Sequence, residues 1–502
     1  MTDGKTWVII GLSSAVLMTY LFPELCRKIQ QVSRFQEGTL PKYDLVIGIL
    51  SARDHFEHRQ VIRETWMKDV NSAPGASMKA WFILGAHPCL VPPLDRVDPY
   101  SCQRWDVHLS GISENICALF PTFVHKPGGQ VDTRKVKVSS LVSSLTFKVL
   151  HPIVLLRLGV YEDLLRDNHT VEVWLTDLHS QEEVVRVVYS TLDHGIAHQL
   201  YHYQTTEPFL LPKGFEGRVS MSCSCDIDEI EITGHVAELN TAGGVIHIDP
   251  EECLLSFDDC NNASMVTFMF SIHDKIGLEK HISSRDTRFD RWAERIRQES
   301  KKITAEIEEF GDIMLVDTID SYRNLPAKLL HFHHRLQKQS HQYFVMKTDD
   351  DCVVNVRNVL QGLQLLNKTK VAKVWWSSFR DQWFVERHGK WKENTFTADV
   401  YPKFACGTGN VVSDDVSKWL AENVGHLHLF QGEDVSMGIW LSAIGVAYIE
   451  DSRWQCDDTC VATSLAISQL SPGDIRRMWT NQQTCGNFCY CDNKPSHSDS
   501  NL

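Results

Sequence analysis

The chain has 502 residues, of which 43% are hydrophobic and 23% are charged, a composition typical of a globular protein with roughly two or three domains. Its formal net charge of -14 excludes a general nucleic-acid-binding surface, because such binding requires a basic surface that neutralises phosphates. An anionic ligand would need local arginines or a metal ion.

The N-terminal segment is predicted to anchor the protein in a membrane. Sixteen residues, WVIIGLSSAVLMTYLF from Trp7 to Phe22, carry no charge, and as a helix they would span about 24 Å, close to a thin bilayer. A cleaved signal peptide is the alternative, but no small-residue cleavage pattern follows Phe22. The predicted segments are a cytoplasmic tail at 1–6, a transmembrane signal-anchor at 7–25 and a stem at 26–43.

Cysteines and glycosylation motifs indicate an oxidising lumen for the rest of the chain. Of fifteen cysteines, Cys26 lies at the anchor and fourteen remain, an even number that suits disulfide pairing. The sequence therefore predicts a single-pass type II protein of the endoplasmic reticulum or Golgi membrane with a lumenal body. The candidate N-glycosylation sites are Asn168, Asn262 and Asn367. Disulfides are favoured over zinc for the C-terminal cluster, which lacks a Cys-x2-Cys pair or a histidine partner: Cys456, Cys460, Cys485, Cys489 and Cys491.

An α/β pattern begins after the stem. The apolar run at 44–50 predicts a buried parallel strand, and 80–85 predicts a second. Between them, Arg59 and Arg63 are four residues apart on one helix face. Ligands of open α/β sheets bind at the carboxyl ends of the strands, so these arginines are candidates to hold a diphosphate. Two solvated arginines are the equally weighted alternative.

The stretch from about 100 to 280 has a different periodicity. Apolar residues alternate with polar ones, as in Val171, Val173 and Leu175, and turn residues separate the runs. This pattern predicts antiparallel strands with one buried face, and hence a β-rich unit resembling a sandwich that interrupts the α/β pattern. Cys89 and Cys102 are candidates for a disulfide at its entry.

The α/β pattern then resumes with a charged helix at 291–310, a strand at 312–317 and a helix beyond Pro326. Histidines 331, 333 and 334 on this helix are predicted to be packed or solvated rather than metal-binding. The next apolar run, 343–346, leads directly into three consecutive carboxylates, Asp349, Asp350 and Asp351.

Three adjacent carboxylates repel one another unless water or a cation offsets their charge. An isolated triplet most often forms a solvated turn. Here the buried strands, the upstream arginines and the later pair Glu433 and Asp434 favour a site for a nucleotide sugar. An oxygen-rich set prefers Mg²⁺ or Mn²⁺ to zinc, and a second carboxylate would act as the base in a single inverting displacement.

The motifs RQVIRETW, FILG, GDIMLVDTIDSYRNLPAKLL, KTDDD, FACGTG and GEDVSMG occur in an order that resembles the family 31 β-1,3-glycosyltransferases. The resemblance covers about 44–86 and 300–455. The large insertion, with DPYSC at 98–102, DDDC at 349–352 and QGEDVSMGIW at 431–440, is similar to the β-1,3-N-acetylgalactosaminyltransferase branch of the family.

This resemblance implies an α/β fold of the GT-A (Rossmann-like) type, in two parts at 44–90 and 286–492, with the β-rich insertion at 91–285 and a disordered tail at 493–502. It implies transfer of GalNAc from UDP-GalNAc, with Mn²⁺ or alternatively Mg²⁺ as cofactor, to form a β-1,3 linkage to GlcNAc. The implied acceptor is a glycoprotein with an O-mannosyl glycan of the α-dystroglycan type.

The resemblance also assigns roles to residues. Asp349 and Asp351 would flank the metal, Asp350 would support them beside the donor, and Asp434 would be the general base. The implied donor-binding residues, besides Asp350, are Ser51, Ala52, Arg53, Arg59, Arg63, Asp320, Asn324 and Lys328. The acceptor-side candidates are Trp375, Trp376, Gly407, Gly409 and Glu433.

Two positions depart from the family pattern. Asn410 stands where a tyrosine usually follows the Gly-x-Gly turn, and no histidine motif after Asp434 supplies the further metal ligand of some relatives. The same reaction with UDP-GlcNAc or UDP-galactose is the first alternative. A catalytically inactive glycan-binding membrane protein is a second, and an Asp-nucleophile phosphohydrolase ranks last because it gives the RQVIRETW segment no role.

Overall fold

The computed structural model describes residues 40–72, 77–108, 117–118, 121–124, 133–137, 144–165, 169–190, 192–198, 201–224, 229–233, 235–239, 243–248, 265–457 and 459–491. The predicted anchor, the C-terminal tail, Asn168 and Asn262 lie outside these residues, whereas Asn367 is exposed. Within the described ranges, no helix combines the length and apolar character that crossing a membrane requires.

The first part of the α/β unit contains the two predicted parallel strands. Strand β1 covers the apolar run at 44–50, and its last six residues are buried. It pairs in parallel with β2, which contains the run at 80–85. The elements of this part are β1 (Lys42–Leu50), α1 (Phe56–Glu64), α2 (Met67–Ser72) and β2 (Met78–His87).

The insertion contains two five-stranded antiparallel sheets. Burial alternates along their strands, as in Ser144–Val149, and inward side chains such as Phe147, Val173 and Phe268 share one core. The predicted antiparallel strands are therefore present, and residues of both sheets share one core. Its strands are β3 (Cys117–Ala118), β4 (Pro121–Val124), β5 (Thr133–Lys137), β6 (Ser144–Val149), β7 (Ile153–Tyr161), β8 (Val171–Asp177), β9 (Glu183–Tyr189), β10 (Ile196–His198), β11 (Tyr201–Leu211), β12 (Glu216–Cys223), β13 (Glu229–Thr233), β14 (His235–Leu239), β15 (Ile246–His247) and β16 (Val266–Ile272).

The second part of the α/β unit follows the insertion. Its long helix Arg285–Phe310 is followed by Gly311, which has a φ of 62° and caps the helix in the left-handed conformation. The elements are α3 (Lys275–Ser283), α4 (Arg285–Phe310), β17 (Ile313–Ile319), α5 (Leu325–Gln339), β18 (His341–Asp349), β19 (Val353–Val354), α6 (Val356–Thr369), β20 (Val374–Ser377), β21 (Phe379–Arg380), β22 (Phe404–Ala405), β23 (Gly409–Ser413), α7 (Asp414–Glu422), α8 (Glu433–Ser442), β24 (Ala447–Glu450), β25 (Trp454–Gln455), β26 (Ala466–Ile467) and α9 (Pro472–Cys485).

The two parts of the α/β unit build one seven-stranded sheet of order β17-β2-β1-β18-β23-β20-β24. Neighbouring strands are parallel except β23, which is antiparallel to both β18 and β20. Successive residues of β1 point to opposite faces, so Ile47 and Val46 enter different cores. Residues of α1, α6 and α9 contribute to one core and residues of α5, α7 and α8 to the other. The protein is thus a mixed α/β structure with several sheets, and the carboxyl ends of β1, β2 and β18 form one edge.

Disulfides form where the sequence favoured them over zinc. The Cys89–Cys102 bridge closes the entry to the insertion, and every member of the C-terminal cluster is paired. The expected even pairing of all body cysteines is wrong at Cys352, which is free and buried behind the carboxylate triplet. The other bridges with both partners described are Cys406–Cys456, Cys460–Cys489 and Cys485–Cys491.

The histidines of α5 have packing roles, as predicted. His333 is buried, and its Nδ1 lies 2.9 Å from Ser417 Oγ on α7. His334 Nδ1 lies 3.0 Å from the Ala421 carbonyl oxygen. These contacts join α5 to α7, away from the carboxylate triplet.

Candidate active site

The carboxylate triplet lies at the carboxyl edge of the sheet, beside the loop that follows β1. The register of the parallel strands aligns Leu50 with Asp349. The backbone N–H of Asp350 donates to the Leu50 carbonyl at 3.1 Å. The triplet and the loop at 51–55 are therefore neighbours, which is where an open α/β sheet binds its ligand.

Lys347 connects the triplet to the helix that carries Asp434. Its buried ammonium group donates to Glu433 Oε1 at 2.6 Å and to the Gly407 carbonyl at 3.0 Å, and it lies 3.0 Å from Asp349 Oδ1. These three acceptors match its three N–H groups. Burial alone would lower the pKa of Lys347, but Asp349 and Glu433 outweigh it and raise that pKa well above its usual range. The charged ammonium group of Lys347 thus links β18 to the turn at 406–409 and to α8.

Asp349 and Asp351, the predicted metal ligands, lie at the end of β18. Burial raises the pKa of Asp349 to about 7, and the charges of Glu433 and Asp351 add to this rise, while Lys347 opposes it. About a third of the Asp349 side chain remains exposed. Across the described ranges, no three His, Cys, Asp or Glu side chains form a ready metal cage. Two carboxylates suit Mg²⁺ or Mn²⁺, which take their other ligands from phosphates and water.

Asp350 forms a hydrogen bond with His55, which the sequence did not identify as a site residue. Its carboxylate lies 2.9 Å from His55 Nδ1, in the loop after β1. The hydrogen bond to Asp350 raises the pKa of His55 above its usual value, against the opposing effect of burial. Asp350 is buried, so the pair fixes the position of the loop relative to the triplet rather than presenting a free carboxylate to a metal.

Asp434 stands in the first turn of α8, and its carboxylate is partly exposed. Its Oδ1 accepts the backbone N–H of Val435 at 2.8 Å. Burial, reinforced by the neighbouring Glu433 charge, raises the pKa of Asp434 to about 6. A Cβ placed on Gly407 would lie 4.0 Å from Asp434 Oδ2. The base candidate therefore faces the turn whose carbonyl Lys347 holds.

Glu433 is buried next to Asp434, but its pKa is shifted in the opposite direction. Burial favours its neutral form, yet the ion pair with Lys347 prevails and lowers its pKa. It remains charged and paired with Lys347, whose ammonium group it orients. Its predicted place on the acceptor side is not supported by these contacts.

The three arginines near the triplet have structural partners. Arg59 is fully buried, and its five N–H groups are all used by Glu306, Ser51, Ala52 and the Arg53 carbonyl. Its predicted direct contact with the diphosphate is therefore not supported, because no donor remains free.

Arg63 and Arg53 are similarly engaged. Arg63 binds Asp312 through two nitrogens, at 2.7 and 2.8 Å, and also binds Glu306. Arg53 donates to Glu299 at 2.7 Å and to the Gly85 carbonyl at 3.1 Å. All of their carboxylate partners lie on α4 or directly after it. Arg53 and Arg59, which contact the loop at 51–53 or belong to it, hold that loop in shape.

A second network supports the same loop. Lys328 is buried, and its ammonium donates to the Ser51 carbonyl at 2.9 Å and to both oxygens of Asp320 at 3.1 Å. Asp320 also accepts the Gly85 N–H at 2.7 Å. The Asn324 amide donates to the Ile319 carbonyl. The structure thus brings the predicted donor-side residues together, with Lys328 and Asp320 as internal supports.

Two of the acceptor-side candidates belong to the core. Trp375 and Trp376 are buried, because β20 lies inside the sheet between β23 and β24. Trp375 Nε1 donates to Asn410 Oδ1 at 3.2 Å, and Trp376 Nε1 donates to Asp451 Oδ2 at 3.0 Å. Their prediction as acceptor-side residues is not supported by these contacts. Asn410, the departure from the family pattern, is buried as the partner of Trp375.

Gly409 has a packing reason for its identity. A Cβ there would lie 3.0 Å from both the Lys347 carbonyl and the Trp454 ring. Glycine therefore allows β23 to approach β18 closely beside the triplet. This is a structural role, next to the site rather than on the acceptor side.

Tyr322 is a residue of the site that sequence reasoning missed. Its hydroxyl accepts from Trp391 Nε1 at 3.2 Å. Burial raises the pKa of Tyr322 to about 12, and the carboxylates of Glu433 and Asp434 contribute. Tyr322 thus presents a neutral phenol near the base. Tyr322 lies inside the motif GDIMLVDTIDSYRNLPAKLL, which could have pointed to it. The lysine of KTDDD could likewise have identified Lys347, because it precedes the triplet by two residues.

Comparisons with known proteins agree with this arrangement. The galactosyltransferase family model matches residues 294–452. The Xenopus laevis protein named UDP-GalNAc:beta-1,3-N-acetylgalactosaminyltransferase 2 is 33% identical over 90% of this chain and 92% of its own. The human protein of that name is 35% identical over 92% of both chains. A mouse beta-1,3-galactosyltransferase 6 is 29% identical over 36% of this chain and 56% of its own. The chain therefore belongs to the galactosyltransferase family, the family 31 β-1,3-glycosyltransferases that its motifs resemble, and is a glycosyltransferase.

Proposed function

We propose that the protein transfers GalNAc from UDP-GalNAc in β-1,3 linkage to a GlcNAc-terminated glycan of a glycoprotein, of the O-mannosyl, α-dystroglycan type. The observation that carries the proposal is the Lys347 ion pair with Glu433, which holds the partly exposed Asp434 next to the strand-end carboxylates. The printed names of relatives that align with nine-tenths of the chain support the donor and the linkage.

The proposed fold type is GT-A. The seven-stranded sheet with one antiparallel strand and helices on both faces supports this assignment. Its carboxyl edge offers a loop at 51–55 for the nucleotide on one side of the triplet and Asp434 on the other. That separation suits a reaction in which the nucleotide leaves on one face of the sugar and the acceptor approaches from the opposite face.

In the proposed reaction, the Asp434 carboxylate takes the proton from the acceptor's 3-hydroxyl group. The freed oxygen forms a bond to the anomeric carbon as the bond from that carbon to the UDP oxygen breaks, which inverts the configuration. Lys347 fixes the turn at 407 and Glu433, and thereby the position of Asp434. Mn²⁺ or Mg²⁺, held by Asp349 and Asp351, would neutralise the diphosphate when bound.

The proposed setting is the lumen of the endoplasmic reticulum or Golgi, with the chain anchored as a type II membrane protein by residues 7–25. The charge-free segment 7–22 supports the anchor. The disulfides support an oxidising compartment.

The test is to give the purified lumenal body UDP-GalNAc, UDP-GlcNAc and UDP-galactose in turn, with Mn²⁺ and a GlcNAc-terminated acceptor. The expected result is transfer from UDP-GalNAc alone, with a β-1,3 linkage identified by NMR of the product. Transfer from either other donor would assign the alternative donor. No transfer from any donor, together with glycan binding, would favour the inactive glycan-binding protein.

A further inference from the structure

A cavity lies between the insertion and the transferase part. Its volume is about 360 Å³, within the ~300–1,000 Å³ typical of small-ligand sites. Segment 97–103 and strand β6 of the insertion form one wall. Segments 389–395 and 429–431 of the transferase part form the other. Neither part could build this cavity alone.

The cavity is next to the base. Tyr100 lines it, and the Tyr100 ring centroid is 5.7 Å from that of Tyr322. Burial raises the pKa of Tyr322, and the Asp434 charge contributes to this rise. Gln431, on the opposite wall, precedes Asp434 by three residues. A molecule in the cavity could therefore continue to the carboxylate of Asp434.

Hydrogen bonds within each part, and one between the parts from the Gly389 N–H to Glu216, brace the walls of the cavity. Glu216, at the start of β12, accepts from Lys148 on β6 at 2.9 Å and from the Gly389 N–H at 3.0 Å. Arg323 donates to the carbonyls of Lys392 and Gly389 at 2.8 and 3.4 Å. Gly389 has a φ of 73°, which favours glycine at this turn. The lining is thus largely formed before a ligand arrives.

The lining is polar but balanced in charge. The cations Lys148, Arg323 and Lys392 face an equal number of carboxylates, and the closest pair, Lys148 and Glu216, neutralise each other. The remaining polar groups are hydroxyls, amides and the His247 imidazole, interleaved with the rings of Phe147 and Phe430. Such a lining suits an uncharged ligand with many hydroxyl groups and flat apolar faces. It suits a phosphate or a nucleotide poorly, because no excess of cations is available.

We propose that this cavity is an acceptor subsite, in which the insertion binds the sugar units that precede the acceptor's terminal residue. The inference rests on the proposed glycosyl transfer. The insertion would then help to select the acceptor. A glycan that fills the cavity presents its terminal hydroxyl group to Asp434. A single sugar makes only the contacts near Tyr322. The bound glycan is uncharged along the part that enters the cavity.

The test uses two tryptophan substitutions on one sheet face. Thr146 on β6 lines the cavity, and its neighbour across the sheet is Arg218, which also pairs with Thr176 on β8. Thr146 and Thr176 therefore lie in one row on the same face, and Thr176 does not line the cavity. Thr146→Trp fills the cavity, and Thr176→Trp is its matched control. Both are strand positions that tolerate aromatic residues.

The measured quantity is KM for an extended acceptor, GlcNAc linked to a second sugar on a peptide, relative to KM for GlcNAc with a small aglycone. We expect Thr146→Trp to raise this ratio about tenfold, as for a lost pocket contact, and Thr176→Trp to leave it unchanged. Gln103→Ala, a milder change in the other segment of the same wall, should also raise it. Equal ratios in the wild type, Thr146→Trp and Thr176→Trp would overturn the inference.

A binding measurement separates this inference from the proposed function. Saturation-transfer NMR with the extended glycan, in the presence of UDP and Mn²⁺, is carried out on the wild type and both tryptophan variants. Weaker binding by Thr146→Trp alone supports the subsite, even if the wild type transfers no sugar, an outcome that would overturn only the proposed transfer. Transfer by the wild type with unaltered binding by Thr146→Trp would overturn the subsite and leave the transfer intact.

Discussion

Lys347 and Glu433 form a buried ion pair with 2.6 Å between Nζ and Oε1. The pair joins β18, whose end carries the metal-binding candidates, to α8, whose first turn carries the base candidate. The two halves of the proposed chemistry are therefore fixed relative to each other by one contact between residues that are 86 positions apart.

Asp434→Asn should abolish transfer while leaving donor binding intact. The amide cannot accept the acceptor's proton, so kcat should fall by about 10²–10⁴-fold. Calorimetry of UDP binding in Mn²⁺ should give a Kd close to that of the wild type, because the substitution keeps the size of the side chain. Turnover near that of the wild type would remove Asp434 as the base.

Lys347→Met should destabilise the fold by about 3–5 kcal/mol, because it leaves Glu433 and Asp349 as buried carboxylates without their cation. Urea unfolding measures the change. Lys347→Met with Glu433→Gln should be less destabilising than the sum of the single variants. Lys418→Met, which removes an exposed pair with Glu422, is the control and should change stability by less than about 1 kcal/mol. Additive effects would show that the pair is not coupled.

The acid limb of the pH profile should report Asp434. A base acts when deprotonated, so kcat/KM should fall about tenfold per unit as the pH drops below the raised pKa of about 6. The measurement is made at saturating metal. Glu433→Gln removes a neighbouring negative charge and should move this limb to lower pH. A limb at the same pH in both proteins would contradict the electrostatic cause.

Asp351→Ala should weaken metal-dependent UDP binding by at least about 100-fold. The control is Asp317→Ala, since Asp317 is an exposed carboxylate on another strand of the same sheet. Calorimetric titrations with and without Mn²⁺ measure both variants. Unchanged UDP affinity in Asp351→Ala would remove that residue from the metal site.

Arg59→Lys should lower the free energy of unfolding by about 1–3 kcal/mol, because lysine leaves some of the buried acceptors around Arg59 unsatisfied. Arg297→Lys alters an exposed pair with Glu294 and should stay within about 0.5 kcal/mol of the wild type. If Arg59→Lys kept full stability but lost UDP affinity, the arginine would be a direct ligand contact after all.

Part of the sheet was predictable because three of its strands correspond to continuous apolar runs. The runs at 44–50, 80–85 and 312–317 correspond to β1, β2 and β17 within a few residues. The period-two pattern of the insertion likewise predicts the two antiparallel sheets. Asp434 and the triplet were predicted as site residues because they lie in the motifs GEDVSMG and KTDDD, which occur in the order typical of the family.

The partners of the arginines were not predictable, because they come from distant sequence. Arg59 binds Glu306, which is 247 positions away in the sequence. The sequence of the helix that carries Arg59 does not show whether its guanidinium group binds a protein carboxylate or a ligand phosphate. The burial of Trp375 and Trp376 depends on β20 having neighbours on both sides. A sequence that shows only an aromatic pair next to a loop carries no such information.

Helix α4 has a consequence for attempts to shorten this protein. It is the segment by which the chain returns from the insertion, yet its Glu299 and Glu306 neutralise Arg53, Arg59 and Arg63. A minimal transferase made by excision should therefore join the chain ahead of residue 285 and retain the whole helix. If the helix were removed together with the insertion, Arg53, Arg59 and Arg63 would lose these buried carboxylate partners. The excised segment should therefore end before α4 begins.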